Sequence, residues 1–164
     1  MSERERRLGE LEKELTLLSR HFFTSRGSRI GQTLERSAYV LLTRLESGDP
    51  LSLKELAHTF QVDVSTINRQ VSAMLKHGLV ERIPDPDGGI ARKFRPTELG
   101  LERLHADRAV GIEGTGRLID ATGWTPETTQ TFLTLLVQLN GGIAQLEGLS
   151  WPDARRAGDV SGTS

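Results

Sequence analysis

The sequence predicts a mainly α-helical chain with one small β-hairpin, and three observations carry that prediction. Apolar residues recur at steps of three and four over most of the 164 residues, the period of amphipathic helices. Capping residues open several of these runs, and glycine or proline closes them. Only "LVERI" (79–83) and "IARKFR" (90–95) have strand character, and "PDPDGG" (84–89) between them reads as a hairpin loop. A chain of this length buries roughly two-thirds of its unfolded surface, so it folds as one domain, or two small ones sharing a core, without disulfides or metal.

Taken in order, Ser2 caps a first helix, and Leu8, Leu11, Leu15, Leu18 and Phe22 form one apolar seam along it. Spacing alone leaves two readings of that seam: a face docked on its own domain, or a face that meets another chain. "TSRGSRIG" (24–31) is a loop. A second helix over 34–46 buries Ala38, Leu41, Leu42 and Leu45, and Gly48 in "SGDP" is placed for a left-handed cap. Ser52 to Glu55 is a capping box that opens a short helix burying Leu56, Ala57 and Phe60. Gln61 and Val62 make a tight turn, Asp63 caps the next helix, and His77-Gly78 closes it. Thr97 caps a long helix with Leu99, Leu101, Leu104, Val110, Leu118 and Ile119. Gly111, Gly114 and Gly116 within it cost roughly 1 kcal/mol each relative to Ala, and mark a bend or break or else a close helix crossing. Thr125-Pro126 starts the last helix, whose apolar face is Phe132, Leu135, Leu136, Leu139, Ile143 and Leu146. Residues 151–164 are polar and predicted to be disordered.

Helix, helix, short helix, tight turn, helix, hairpin is the order of a winged helix-turn-helix. On the helix after Asp63, steps of 100° place Val64, Ile67, Val71, Met74 and Leu75 within about 100° of one another. The opposite side carries Ser65, Thr66, Arg69, Ser72, Ala73 and Lys76, with Asn68 on its flank and no acid anywhere. A solvated face typically carries Glu–Lys pairs four apart, and this one has none. Such a helix fits the DNA major groove, where Arg grips guanine and Asn or Ser meets other base edges. From Ser52 to Thr97 seven Lys or Arg face five acids, a local net of +2 in a chain of net charge −1. Arg92, Lys93 and Arg95 stand together on the second strand, suited to phosphates or the minor groove.

"STINRQVSAMLKHGLVERIPDPDGGIARKFRPTELG" resembles the core of the MarR (multiple antibiotic resistance regulator) family. The matching elements are Ser65, Thr66 and Arg69 as S-T-x-x-R, then G-L-V-E-R from Gly78, D-P-D from Asp85, and T-E-x-G from Thr97. The resemblance implies a winged helix-turn-helix flanked by dimerisation helices: 1–31 as an N-terminal dimerisation helix and loop, 32–97 as the DNA-binding lobe, 98–150 as C-terminal dimerisation helices. It implies a homodimer on an inverted-repeat operator of double-stranded DNA, a repressor by expectation, with Leu8, Leu11, Leu15, Leu18, Phe132, Leu135, Leu136 and Leu139 in the interface. It also implies a small-molecule effector pocket between lobe and dimer helices, with His21, Phe22, Arg26, Tyr39 and His105 as candidates. The chain departs from the family at the wing tip. Gly88, Gly89 and Ile90 stand where a further acid and two arginines are usual, so either Arg92 and Lys93 replace the tip grip or the wing touches only backbone.

Other classes find little support. The absence of cysteine excludes thiol nucleophiles, thiolate metal sites and thiol redox sensing. The four histidines are scattered, so no metal or cofactor is expected. No nucleophile–base pair, phosphate loop or carboxylate dyad suggests an enzyme. The start is densely charged and no apolar run nears the roughly 20 residues of a membrane span, so a cytoplasmic, non-membrane protein is expected. The competing functional class is a winged-helix module that binds protein and has lost DNA recognition.

Overall fold

The computed structural model describes residues 1–24 and 31–149, leaving most of the loop expected at 24–31 and all of the tail expected at 151–164 outside the described residues. The elements, in chain order, are α1 (Glu3–Thr24), α2 (Arg36–Glu46), β1 (Leu51–Ser52), α3 (Leu53–Phe60), α4 (Val64–Lys76), β2 (Val80–Ile83), β3 (Lys93–Pro96), α5 (Glu98–Thr122) and α6 (Pro126–Leu146). This is the winged helix-turn-helix with flanking long helices that the sequence predicts.

The core lies in the lobe. Leu41, Leu42 and Leu45 of α2, Leu56 of α3, and Ile67, Val71 and Met74 of α4 close on one another, with Val80, Phe94 and Leu104 completing the cluster. Phe60, expected to be buried, is only half-buried and packs against the cluster's edge. Local chemistry sets the boundaries. Glu55 N donates to Ser52 Oγ, and Ser52 N donates to Glu55 Oε2 at 2.6 Å, the reciprocal box that opens α3. Gln61 takes the left-handed conformation (φ 49°) and turns the chain into α4, and Gly78 (φ 68°) turns it out. The Gln61 side chain also donates to the Glu147 carbonyl at 2.8 Å, returning the end of α6 to the turn between α3 and α4. Thr97 and Thr125 cap α5 and α6 through their hydroxyls.

Five details correct the sequence reading. Asp63 holds the N-cap position of α4, but its side chain makes no capping bond; its carbonyl alone accepts from Thr66 N and Ile67 N. Val64, in the first turn of α4, is exposed rather than buried. Gly48 is not left-handed; α2 ends on Ser47, whose hydroxyl donates to the Arg44 carbonyl. The second hairpin strand starts at Lys93, so Ile90, Ala91 and Arg92 belong to the loop. Finally, α5 runs unbroken through Gly111, Gly114 and Gly116, capped by Thr97 at one end and by left-handed Gly123 at the other.

The sheet order is β1-β3-β2, both pairs antiparallel. The β1 strand, two residues long, is too short to show a period and was not expected. It pairs Ser52 with Lys93, while β2 pairs Ile83 with the same lysine. Outside the lobe the picture reverses. Leu8, Leu11, Leu15 and Leu18 on α1 are 39–52% exposed, and Phe132, Leu135 and Leu139 on α6 are also exposed, with Leu136 half-buried. No helix among the described residues is long and apolar enough to cross a membrane.

Candidate nucleic-acid interface

Burial of Ile67, Val71 and Met74 fixes the rotation of α4, and with it which side chains face out. Ser65, Asn68, Arg69, Ser72, Ala73 and Lys76 are exposed, and Thr66 is half-buried. Among the described residues neither Arg69 nor Lys76 has a carboxylate within ion-pair distance, so both cations are available to an anion. The outward face therefore presents donors and short side chains on a rigid, core-anchored helix, the arrangement base-edge recognition requires.

The wing is different. Of the three basic residues expected to meet DNA there, only Arg92 is exposed without an ion pair. Arg95 is exposed but donates to Glu81 across the hairpin at 2.7 Å. Lys93 is withdrawn: its side chain is 12% exposed, and its ammonium lies 3.4 Å from Asp85, 3.5 Å from Glu55 and 4.0 Å from Asp87. Burial opposes its charge, but the Glu55 and Asp85 carboxylates outweigh that, and Lys93 holds its proton more tightly than an ordinary lysine. In the structure Lys93 is therefore held by acids of its own chain rather than presented as a free cation. The three acids lie 6, 8 and 38 positions upstream, and a charge count along the chain does not show that they gather around this one ammonium. Arg82, unassigned by the sequence, lies with its guanidinium 5.7 Å from the centre of the Phe94 ring.

The glycine tip forms a hydrogen-bonded turn. Asp87 N donates to Asp85 Oδ1 and Gly88 N to the Asp85 carbonyl, both at 3.0 Å, a turn wound on one aspartate. Gly88 supplies the positive φ of 79°. A Cβ on Gly89 would fall 2.2 Å from Asp85 Oδ2, so this glycine makes room for the carboxylate. Ile90 beyond it is wholly exposed.

A second feature lies where α5 crosses α2. Arg108 donates to both Glu46 oxygens, at 2.5 and 3.3 Å, and His105 meets the same carboxylate. The hydrogen bond from Arg108 holds the Glu46 carboxyl below the usual glutamate range, burial opposes this, and His105 adds to it. On the other side of α5, buried Asp107 accepts from Thr33 N and Leu34 N, each at 2.8 Å, and from the Thr33 hydroxyl. Beside this junction an open hollow of about 610 Å³ is lined by Tyr39, Arg108, Ile112 and Ile119, with Gly111 and Gly116 leaving its wall low. Of the expected effector residues Tyr39 lines it, and His105 is engaged by Glu46 instead. His21 is exposed on α1 and does not line the hollow, while the Phe22 side chain and Arg26 lie outside the described residues.

Three helices packed on one core, α2, α3 and α4, with a hairpin wing and an outward, acid-free face on α4, define the winged-helix class. The MarR family model matches residues 34–88, from just before α2 to the wing tip. The chain is 33% identical over 131 residues to the uncharacterized HTH-type transcriptional regulator YxaD of Bacillus subtilis (strain 168), covering 79% of this chain and 90% of that one. Its fold is similar to that of a MarR family protein from Bacillus stearothermophilus (TM-score 0.71, 23% identity, 88% of this chain and 99% of that one). It is also similar to the crystal structure of MarR (TM-score 0.70, 22% identity, 84% and 93%). The chain belongs to the MarR family, and is by family a DNA-binding transcriptional regulator rather than an enzyme.

Proposed function

We propose that the protein is a cytoplasmic homodimer that binds an inverted-repeat operator and represses transcription from it. Two recognition helices α4 would enter successive major grooves, one helical turn and about 10 bp apart. Ser65, Thr66, Asn68 and Arg69 would read bases. Ser72, Lys76, Arg92 and Arg95 would hold phosphates, Arg95 on leaving Glu81. The observation that carries this reading is the α4 face, outward, free of acid and bearing an unpaired Arg69 on a helix fixed by its core. The exposed leucine seams of α1 and α6 support the dimer, since solvated helices of this length do not keep such stripes without a partner. The hollow beside Tyr39 and Arg108, at the α2–α5 crossing, supports an effector that changes the spacing of the two lobes.

The test is fluorescence anisotropy on the DNA upstream of the protein's own coding sequence against random DNA, over several salt concentrations. Specific binding about a thousandfold over random DNA is expected. Arg69→Ala should cost about 1–3 kcal/mol and relax specificity at one position per half-site. Equal losses on both DNAs would remove Arg69 from base reading. One observation favours the protein-binding alternative, namely a wing whose lysine is ion-paired within the chain and whose tip is a bare Ile90. Equal and weak binding to both DNAs would move that reading to first place.

A further inference from the structure

We infer that Lys93 is a positioning residue: it clamps the wing to the first turn of α3 and so sets where Arg92 is presented to DNA. The placement of Arg92 on DNA rests on the function proposed above; the clamp itself does not. Three segments meet at one ammonium. Lys93 stands on the middle strand, paired to Ser52 on one side and to Ile83 on the other. Its Nζ reaches Asp85 and Asp87 of the wing loop and Glu55 of α3. Glu55 divides its two oxygens between these tasks: Oε2 holds the capping box through Ser52 N, and Oε1 faces the lysine. Asp85 is divided too. Its Oδ1 takes the Asp87 amide and the lysine, while Oδ2 fills the space that Gly89 leaves open.

The arrangement is built rather than incidental. The Asp85 side chain is as buried as that of Lys93, each 12% exposed, and both would lose their partner if the lysine swung out to a phosphate. Removing one member of such a pair leaves the other desolvated and uncompensated. Three acids around one base also leave a local excess of two negative charges, which a wing contacting phosphates through Lys93 would not carry. The cationic contact passes instead to the neighbouring exposed Arg92.

The test separates a clamp from a phosphate ligand and does not depend on operator binding. Amide hydrogen exchange is measured on the full chain for Lys93→Met, Lys93→Arg and Gly89→Ala. In Lys93→Met the Asp87 and Gly88 amides should exchange about tenfold faster or more, with Ile67 and Val71 of α4 unchanged. Lys93→Arg should restore slow exchange, and Gly89→Ala should reproduce the fast exchange with every charge retained, because it displaces Asp85. On operator DNA, Lys93→Met should weaken binding without changing the log–log salt slope, whereas Arg92→Ala should lower that slope by about 0.9 per subunit. The inference is overturned if Lys93→Met leaves the Asp87 and Gly88 amides slow, or if it lowers the salt slope as Arg92→Ala does. If the wild-type chain binds no DNA specifically, the proposed function fails, and the exchange measurements still decide the clamp.

Discussion

The lobe and the long helices are composed on the same period and meet opposite fates. In α2 the residues at the three-four spacing, Leu41, Leu42 and Leu45, are at most 3% exposed, because α3, α4 and the sheet close over them. In α1 the same spacing leaves Leu8, Leu11, Leu15 and Leu18 open, and α6 repeats the pattern with Phe132, Leu135 and Leu139. Period thus shows that a face is meant for burial and is silent about which chain buries it. The lobe answers that question internally. In the proposed dimer, α1 and α6 answer it with a second copy.

The comparison breaks most sharply at Leu42, which is wholly buried. Leu42→Ala should destabilise the lobe by about 2–5 kcal/mol, read as a lower denaturation midpoint and faster amide exchange at Ile67 and Val71. The double variant Leu11→Glu with Leu15→Glu should leave those amides slow and instead shift sedimentation toward the monomer. Equal loss of lobe protection from both changes would mean that the two regions are one cooperative unit, and that the contrast drawn from exposure is false.

A middle-sized effect is expected where the two regions join. Asp107 is the polar tie between α5 and the segment leading into α2, and each of its oxygens accepts a backbone amide. Asp107→Ala strands the amides of Thr33 and Leu34 and should cost about 1–3 kcal/mol by thermal or urea unfolding. Asp107→Asn should be nearly as damaging despite its matching shape, since one acceptor becomes a donor facing an N–H. Full rescue by Asn would show that space rather than acceptance is what the site needs.

Legibility in the sequence divides along the same line between local and distant partners. The capping box at Ser52 and Glu55, the turn at Gln61, and the caps Thr97 and Thr125 were readable because each signal and its partner lie within four residues. The outward face of α4 was readable because its inward apolar residues fix the rotation. What could not be read depended on residues far apart. Asp107 serves amides more than 70 positions away, β1 has only two residues, and Lys93 looked like one more base until Glu55 and Asp85 stood around it. Asp63 shows the limit even of local signals. A suitable residue held the cap position, and its carbonyl rather than its carboxylate did the capping.

The smallest expected effect sharpens the junction further, through pH. The Glu46 carboxyl is held below an ordinary glutamate's 4.5, first by the hydrogen bond from Arg108, against burial and with help from His105. A carboxyl depressed in the folded state stabilises it at every pH above the unfolded value, and loses that contribution as pH falls through the lower folded value. Glu46→Gln should therefore be less stable than wild type by about 1 kcal/mol at neutral pH, a modest figure because the pair is partly solvated. The gap should close on acidification below 4.5, as wild type gains the proton whose absence Arg108 had favoured. Glu55 is depressed as well, mainly by the amide and hydroxyl of Ser52, and is common to both proteins, so it cancels in the difference. A gap that stayed constant into acid would assign the loss to the shape of the amide. A gap that closed would identify the Glu46–Arg108 charge as a titratable part of the lobe's hold on α5.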